Sequence, residues 1–163
     1  MNKRLLKYYI TLWVLFFQFA CERDDICITS IRESPDLILL MIDNNSNSRK
    51  VPPRFSIRAL GTEKKINSAA SDSFALPLKI NQNRVEYEFT RDKDTDEENR
   101  DTIQINYDRF DTFINAACGF RSSYILESIP AIILNPGNDW IIGFTILKDT
   151  ISDENSAHLG ILH

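Results

Sequence analysis

Apolar positions fall into two regimes along this chain. From Tyr8 to Ala20 they are nearly continuous, broken only by Thr11 and Gln18. From Leu37 onward many recur at every second position, the period of a half-buried β-strand. Val85, Tyr87 and Phe89 point one way and Arg84, Glu86 and Glu88 the other; Ile103, Ile105 and Tyr107 repeat this against Thr102, Gln104 and Asn106. The stretch between them, Thr90 to Asp101, is too polar to pack, which predicts a hairpin with a long acidic tip. Phe55, Ile57 and Ala59 alternate with Arg54, Ser56 and Arg58. Phe74, Leu76 and Leu78 do likewise with Pro77 on the outward side, the mark of an edge strand.

Other runs are apolar on both faces, as central strands are. Leu37 to Ile42 is one, and Trp140 to Leu147 is another, launched by the turn Pro136-Gly137-Asn138-Asp139. Ile125 to Leu134 and Phe113 to Ala117 are ambiguous, and His158 to His163 predicts a short last strand. The sum is about eight or nine strands and no amphipathic helix. That pattern predicts an all-β, two-sheet antiparallel sandwich, loosely immunoglobulin-like, with a partly open barrel as the alternative.

The continuous run near the start has a different meaning. Lys3, Arg4 and Lys7 precede it, Ala20-Cys21 ends it, and Glu22, Asp24 and Asp25 follow. Tyr8 to Ala20 would measure only about 20 Å as a helix, whereas spanning a bilayer takes about 20 apolar residues. The layout predicts a lipoprotein signal over residues 1–20, cleaved before Cys21, with acyl chains on the Cys21 sulfur. Gln18 and Phe19 depart from the strict lipoprotein box and resemble the looser box of Bacteroidetes lipoproteins. Glu22-Arg23-Asp24-Asp25 partly resembles the surface-export signal of the same phylum, so the expected address is the outer membrane, facing periplasm or cell surface. Residues 21–34 then form a short tether, and 35–163 a single β-sandwich domain.

Composition narrows the partners. Removing residues 1–20 takes away three of the 19 Lys and Arg and none of the 23 Asp and Glu, so the balance moves from −4 to −7. A chain this acidic is not expected to bind nucleic acid, which requires a clustered basic surface. With Cys21 assigned to lipid, Cys27 and Cys118 remain, and an even pair outside the cytoplasm closes. A bridge across about 90 residues is worth roughly 4.5 kcal/mol by chain entropy.

Four segments in order carry a family resemblance: the head Cys21-Glu22-Arg23-Asp24-Asp25-Ile26-Cys27, then Ala117-Cys118-Gly119-Phe120, then Asn138-Asp139-Trp140, then Asn155-Ser156-Ala157-His158. Together they resemble an uncharacterised Bacteroidetes lipoprotein family, a domain of unknown function. The resemblance covers nearly the whole mature chain. It implies a lipid-anchored β domain and names no substrate, partner or catalytic residue.

Asp92, Asp94 and Asp96 have the spacing that opens a calcium loop, but Glu97 and Ile103 stand where the helix-loop-helix template needs Gly and Glu. They remain a weak calcium candidate beside the simpler reading of a solvated acidic loop. His158 and His163 are five apart and point to opposite faces of one strand, so they do not share a metal. They read as side chains finishing an exposed terminal strand. No Gly-x-Ser-x-Gly elbow, phosphate-binding glycine loop or Cys-x-x-Cys occurs, and no cofactor is expected. A Cys118–His158 or Cys118–His163 catalytic pair is outweighed by the expected disulfide. Trp140, Phe144 and Phe120 are expected in the core rather than in a ligand groove.

These observations predict a lipid-anchored envelope protein that acts as a non-enzymatic binding or structural module, with other envelope proteins as partners. The alternative is an envelope hydrolase whose site is assembled from distant residues.

Overall fold

The computed structural model describes residues 34–61, 65–66 and 71–163. The expected signal, Cys21, Cys27 and nearly all of the tether lie outside the described residues. Among the described residues ten strands run β1 (Leu37–Ile42), β2 (Ser56–Ala59), β3 (Lys65–Ile66), β4 (Ser73–Leu76), β5 (Arg84–Arg91), β6 (Asn99–Asn115), β7 (Gly119–Ile133), β8 (Gly143–Ile146), β9 (Thr150–Ile151) and β10 (Leu159–Leu162). They form a four-stranded sheet ordered β4-β1-β10-β8 and a six-stranded sheet ordered β3-β2-β5-β6-β7-β9. Each sheet ends on two edges of its own, so the fold is an all-β sandwich and not a barrel.

The period-two pattern builds the core. Leu37, Leu39 and Met41 of β1, Phe74 and Leu76 of β4, and Leu159 and Ile161 of β10 line one inner face. Ile57, Val85, Tyr87, Phe89, Ile103, Ile105 and Tyr107 line the other. Each such side chain contributes about 1.5–3 kcal/mol on full burial. Two buried tyrosines also tie down the loop after β4. The Tyr87 hydroxyl donates to the Pro77 carbonyl, and the Tyr107 hydroxyl accepts from Lys79 N at 2.8 Å and donates to its carbonyl at 3.0 Å.

Four expectations need correction. The pairing is not antiparallel throughout: β1 runs parallel to β10, with Leu39 opposite Leu159 and Ile42 opposite Leu162. First and last strands thus close the smaller sheet side by side. The run Trp140 to Leu147 is not one central strand. Trp140 and Ile141 are buried in the approach, and β8 is an edge strand, so its continuous apolar character comes from a turn packed inward. The acidic tip is shorter than twelve residues, because Thr90 pairs with Arg100 and Arg91 with Asn99, leaving 92–98 as the loop. Thr90 and Asp101 are buried rather than solvated. Finally, His158 is fully buried, because β10 lies inside its sheet and not at the rim. Other expectations hold: β4 is an edge strand with exposed Pro77 just beyond it, and β1 is central.

β6 has 17 residues and β7 has 15, far longer than their neighbours. β5 covers β6 only as far as Asn106, and β9 covers β7 only at Tyr124 and Ile125. The distal part of β6 and β7 is therefore a two-stranded arm. At its root β7 makes a wide bulge: Ile105 pairs with Ala131 and Tyr107 with Leu126, so four residues of β7 oppose one of β6. Bulges of this kind bend a strand and increase its twist.

Candidate functional surfaces

Three surfaces carry polar or apolar groups that the core does not use. The first is the acidic tip. Residues 92–98 hold five acids and one lysine. The backbone is pinned: Asp92 N donates to Pro53 O at 2.9 Å and Lys93 N to Arg54 O at 3.2 Å. Thr95 Oγ1 donates to Asp92 O at 2.6 Å, and Asp94 N donates to Glu98 Oε2 at 2.8 Å. Asp92 and Asp94 adopt positive φ of 52° and 62°, a conformation that aspartate tolerates better than most residues. Their carboxylates lie beside Arg91 at 3.2 Å and Lys93 at 3.5 Å, while Glu98 pairs with Arg100. The Asp94 amide, then that arginine, hold the Glu98 carboxyl below the usual range. The calcium candidates Asp92, Asp94 and Asp96 therefore share one loop, and among the described residues no three His, Cys, Asp or Glu side chains are grouped as metal ligands.

Directly beneath the tip sits Asp101, 1 % exposed. Its Oδ2 accepts from Trp140 N at 3.0 Å and Ile141 N at 2.8 Å. Burial pushes this carboxyl up, and the two N–H bonds pull it back. Arg91 stacks its guanidinium 5.7 Å from the Trp140 ring centre, and Phe55 meets the same ring edge-on at 5.8 Å. The acidic end is thus fastened into the core. Asp101 was legible: it stands in the inward phase of Ile103, Ile105 and Tyr107, but its charge hid it.

The second surface is a hollow of about 210 Å³ on the outer face of the six-stranded sheet, lined by Ser56, Ile57, Arg58, Glu88, Thr90, Lys93 and Arg100. Arg58 donates to both carboxylate oxygens of Glu88, at 3.3 and 3.0 Å, and Arg100 approaches Glu88 at 3.9 Å. Two arginines thus face one carboxylate, and Lys93 adds a third cation to the lining of the hollow. Nothing in the alternation marks this cluster, since polar residues on an outward face look alike.

The third surface is the arm. Phe113 and Phe120 sit directly opposite each other, 57 % and 69 % exposed, their rings edge-to-face at 5.4 Å. Phe110 and Ile125 are exposed on the arm's other face. Phe120 therefore corrects the core expectation: it continues the inward phase of Tyr124 and Leu126 beyond the point where the opposite sheet ends. Trp140 is in the core and Phe144 packs partly against it. At the hairpin end Ala117 N and Cys118 N donate to Asn115 Oδ1 at 3.0 and 2.7 Å, and Gly119 takes φ 70°. Cys118 is disulfide-bonded and so presents no thiol nucleophile. It stands at the end of the arm in one sheet, whereas His158 and His163 flank β10 in the other.

At the arm's root lies the start of the described residues. Ser34 lies close to the Tyr124 hydroxyl, Asp36 N donates to Glu154 Oε1 at 3.1 Å, and Ile38 N donates to His158 Nδ1 at 3.0 Å. Nδ1 accepts that bond, so the ring is neutral, and burial, then Lys148, push the imidazole's pKa down. His163 Nε2 lies 3.0 Å from Lys50 O, with the ring against Trp140 at 5.9 Å.

By its fold the molecule is an open β-sandwich with a projecting two-stranded arm. Residues 54–163 match a family described as "Family of unknown function (DUF6452)", and the chain belongs to that family. The match begins after β1, although β1 occupies the middle of the smaller sheet. No curated protein and no solved structure matches.

Proposed function

We propose that this is a lipid-anchored protein of the bacterial outer membrane, held by acyl chains on Cys21 and working as a non-enzymatic binding or structural module. The observation that carries the reading is the polarity of β6. One end of this strand leads from five acids; the other leads into exposed aromatic rings and Cys118. At about 3.3 Å per residue the two ends are up to roughly 55 Å apart. The described residues begin at Ser34, close to Tyr124 at the base of the apolar arm. Cys27 is the natural partner of Cys118, since Cys21 is assigned to lipid. An anchored domain of this shape presents its acidic end away from the membrane, to another envelope protein or a ligand of neutral or positive charge.

The hydrolase alternative is less well supported. The carboxylate in the polar hollow, Glu88, is held by Arg58 on both oxygens, which suits ion pairing better than proton transfer.

Growing cells on labelled palmitate tests the anchor: label should enter the parent chain and not a Cys21→Ser chain, and an unlabelled parent overturns the reading. Proteinase treatment of intact cells separates surface from periplasmic exposure. Cross-linking in cells with Asp92, Asp94 and Asp96 changed to Asn tests the acidic end. A partner should be lost, and an unchanged partner set removes the tip from the binding surface.

A further inference from the structure

We infer that the end of the β6–β7 arm, with Phe113 and Phe120 foremost, seats on the lipid surface and sets the orientation of the domain. The inference rests on the anchored reading above. Four observations carry it together. Phe113 and Phe120 are large, exposed and paired across the ribbon, with Phe110 and Ile125 exposed behind them. From Thr112 to Leu126 there is no acid at all, and Arg121 is the only charge, in a chain that is acidic elsewhere. Beyond the cover of β5 and β9 no other described strand pairs with the arm; side chains of Arg109 and Arg121 tie it to Ile80 O and Ser152 O, and past them its end carries Phe113 and Phe120 exposed. And Cys118 is disulfide-bonded at that end.

The last point sets a distance. A disulfide holds two Cα atoms within about 7 Å. With Cys27 as the partner of Cys118, as proposed above, the bridge lies six residues from Cys21, which is about 20 Å when fully extended. The aromatic end of the arm is therefore leashed within roughly 27 Å of the acylated residue, the scale of one leaflet with its headgroups. Aromatic rings partition into that headgroup layer, and an uncharged hairpin end meets no repulsion from anionic lipid there. The acidic tip, at the other end of β6, is kept away by the same field. Lipid is favoured over a second copy or a protein partner because the leash brings lipid to the rings in every molecule.

The test uses the full acylated chain in vesicles of phosphatidylethanolamine and phosphatidylglycerol with brominated acyl chains. A Phe120→Trp chain should lose most of its added indole emission, while an Asp96→Trp chain at the acidic tip should keep it. Flotation of the same samples reports anchoring separately. Chains that float with an unquenched Phe120→Trp indole overturn the docking and leave the anchor standing; chains that do not float overturn both. An indole that is shielded only as protein concentration rises assigns the rings to a second copy and also overturns the docking. An unacylated Cys21→Ser chain supplies a further reading. Its residual vesicle binding should fall roughly tenfold when Phe113 and Phe120 become Ser, and equal binding counts against the inference.

Discussion

The two hairpins that share β6 are built on opposite principles. The acidic hairpin is short at its loop, and its neighbours brace it: Pro53 and Arg54 accept its amides, Asn99 Nδ2 reaches Asn138 O at 2.7 Å, and Asp101 grips the Trp140 approach. Its charge sits on a stiff base. The aromatic hairpin has the reverse arrangement, with greasy residues on a two-stranded ribbon that no other described strand pairs with. An isolated two-stranded hairpin is marginal in water. The ribbon persists through its cross-strand ring pair, the Asp111 carboxylate shared by Arg109 at 3.0 Å and Ser122 at 2.7 Å, and the covalent link at Cys118. Charge can be displayed wherever backbone holds it, whereas exposed apolar area needs a covering surface or a leash.

The sharpest way to break this comparison is to cut the leash. Cys118→Ser should lower the unfolding free energy of the oxidised mature chain by about 4 kcal/mol, through the entropy of a loop near 90 residues. Cys27→Ser should cost the same, and the double variant no more than either alone. Additive losses in urea melts would show that the two cysteines do not pair. A second cut goes through the other end. Asp101→Ala leaves two buried amides, those of Trp140 and Ile141, without their acceptor, and should cost about 3 kcal/mol. A loss well under 1 kcal/mol would mean that solvent replaces the carboxylate and that the acidic end is not fastened as described.

Much of the fold is legible in the sequence. The inner faces of β2, β5 and β6 follow from strict alternation, and the edge position of β4 follows from Pro77. Asp101 is hard to place because its period points inward while its charge points outward. His158 is hidden because its setting depends on β10 lying between β1 and β8, a long-range fact that no local window contains. The parallel pairing of β1 with β10 is hidden for the same reason. The arm was hidden differently: alternation continues through Arg109, Asp111 and Phe113, but the facing sheet stops, so the same period that buries Tyr107 exposes Phe113.

Acid should loosen the arm's root before it touches the acidic hairpin. His158 in the fold titrates below the ordinary value of 6.5, so the unfolded chain takes up its proton first. Stability from this group is complete above pH 6.5 and declines as pH falls below it toward the folded value, at no more than about 1.4 kcal/mol per pH unit. Hydrogen exchange should quicken first near Ile38 and His158. His158→Asn keeps an acceptor near Nδ1 and removes the titration, so its stability should be flat through the same window. A parent chain that is equally flat would show that the imidazole is not sealed.

The smallest effect on stability is expected where the largest apolar area is exposed. Phe113 and Phe120 already stand mostly in solvent, so replacing both with Ser forfeits little burial. What is lost is the ring pair itself, about 0.5–1 kcal/mol for an aromatic cross-strand contact. Urea melts of the mature chain should therefore move only slightly, in contrast to the Asp101 variant, even though two large side chains have gone. A loss of several kcal/mol would mean that the rings are covered in the folded chain itself, and the contrast between a braced charged end and an uncovered aromatic end would fail. A small loss leaves two aromatic residues that contribute almost nothing to folding, and their retention in so exposed a place then calls for a surface outside the domain.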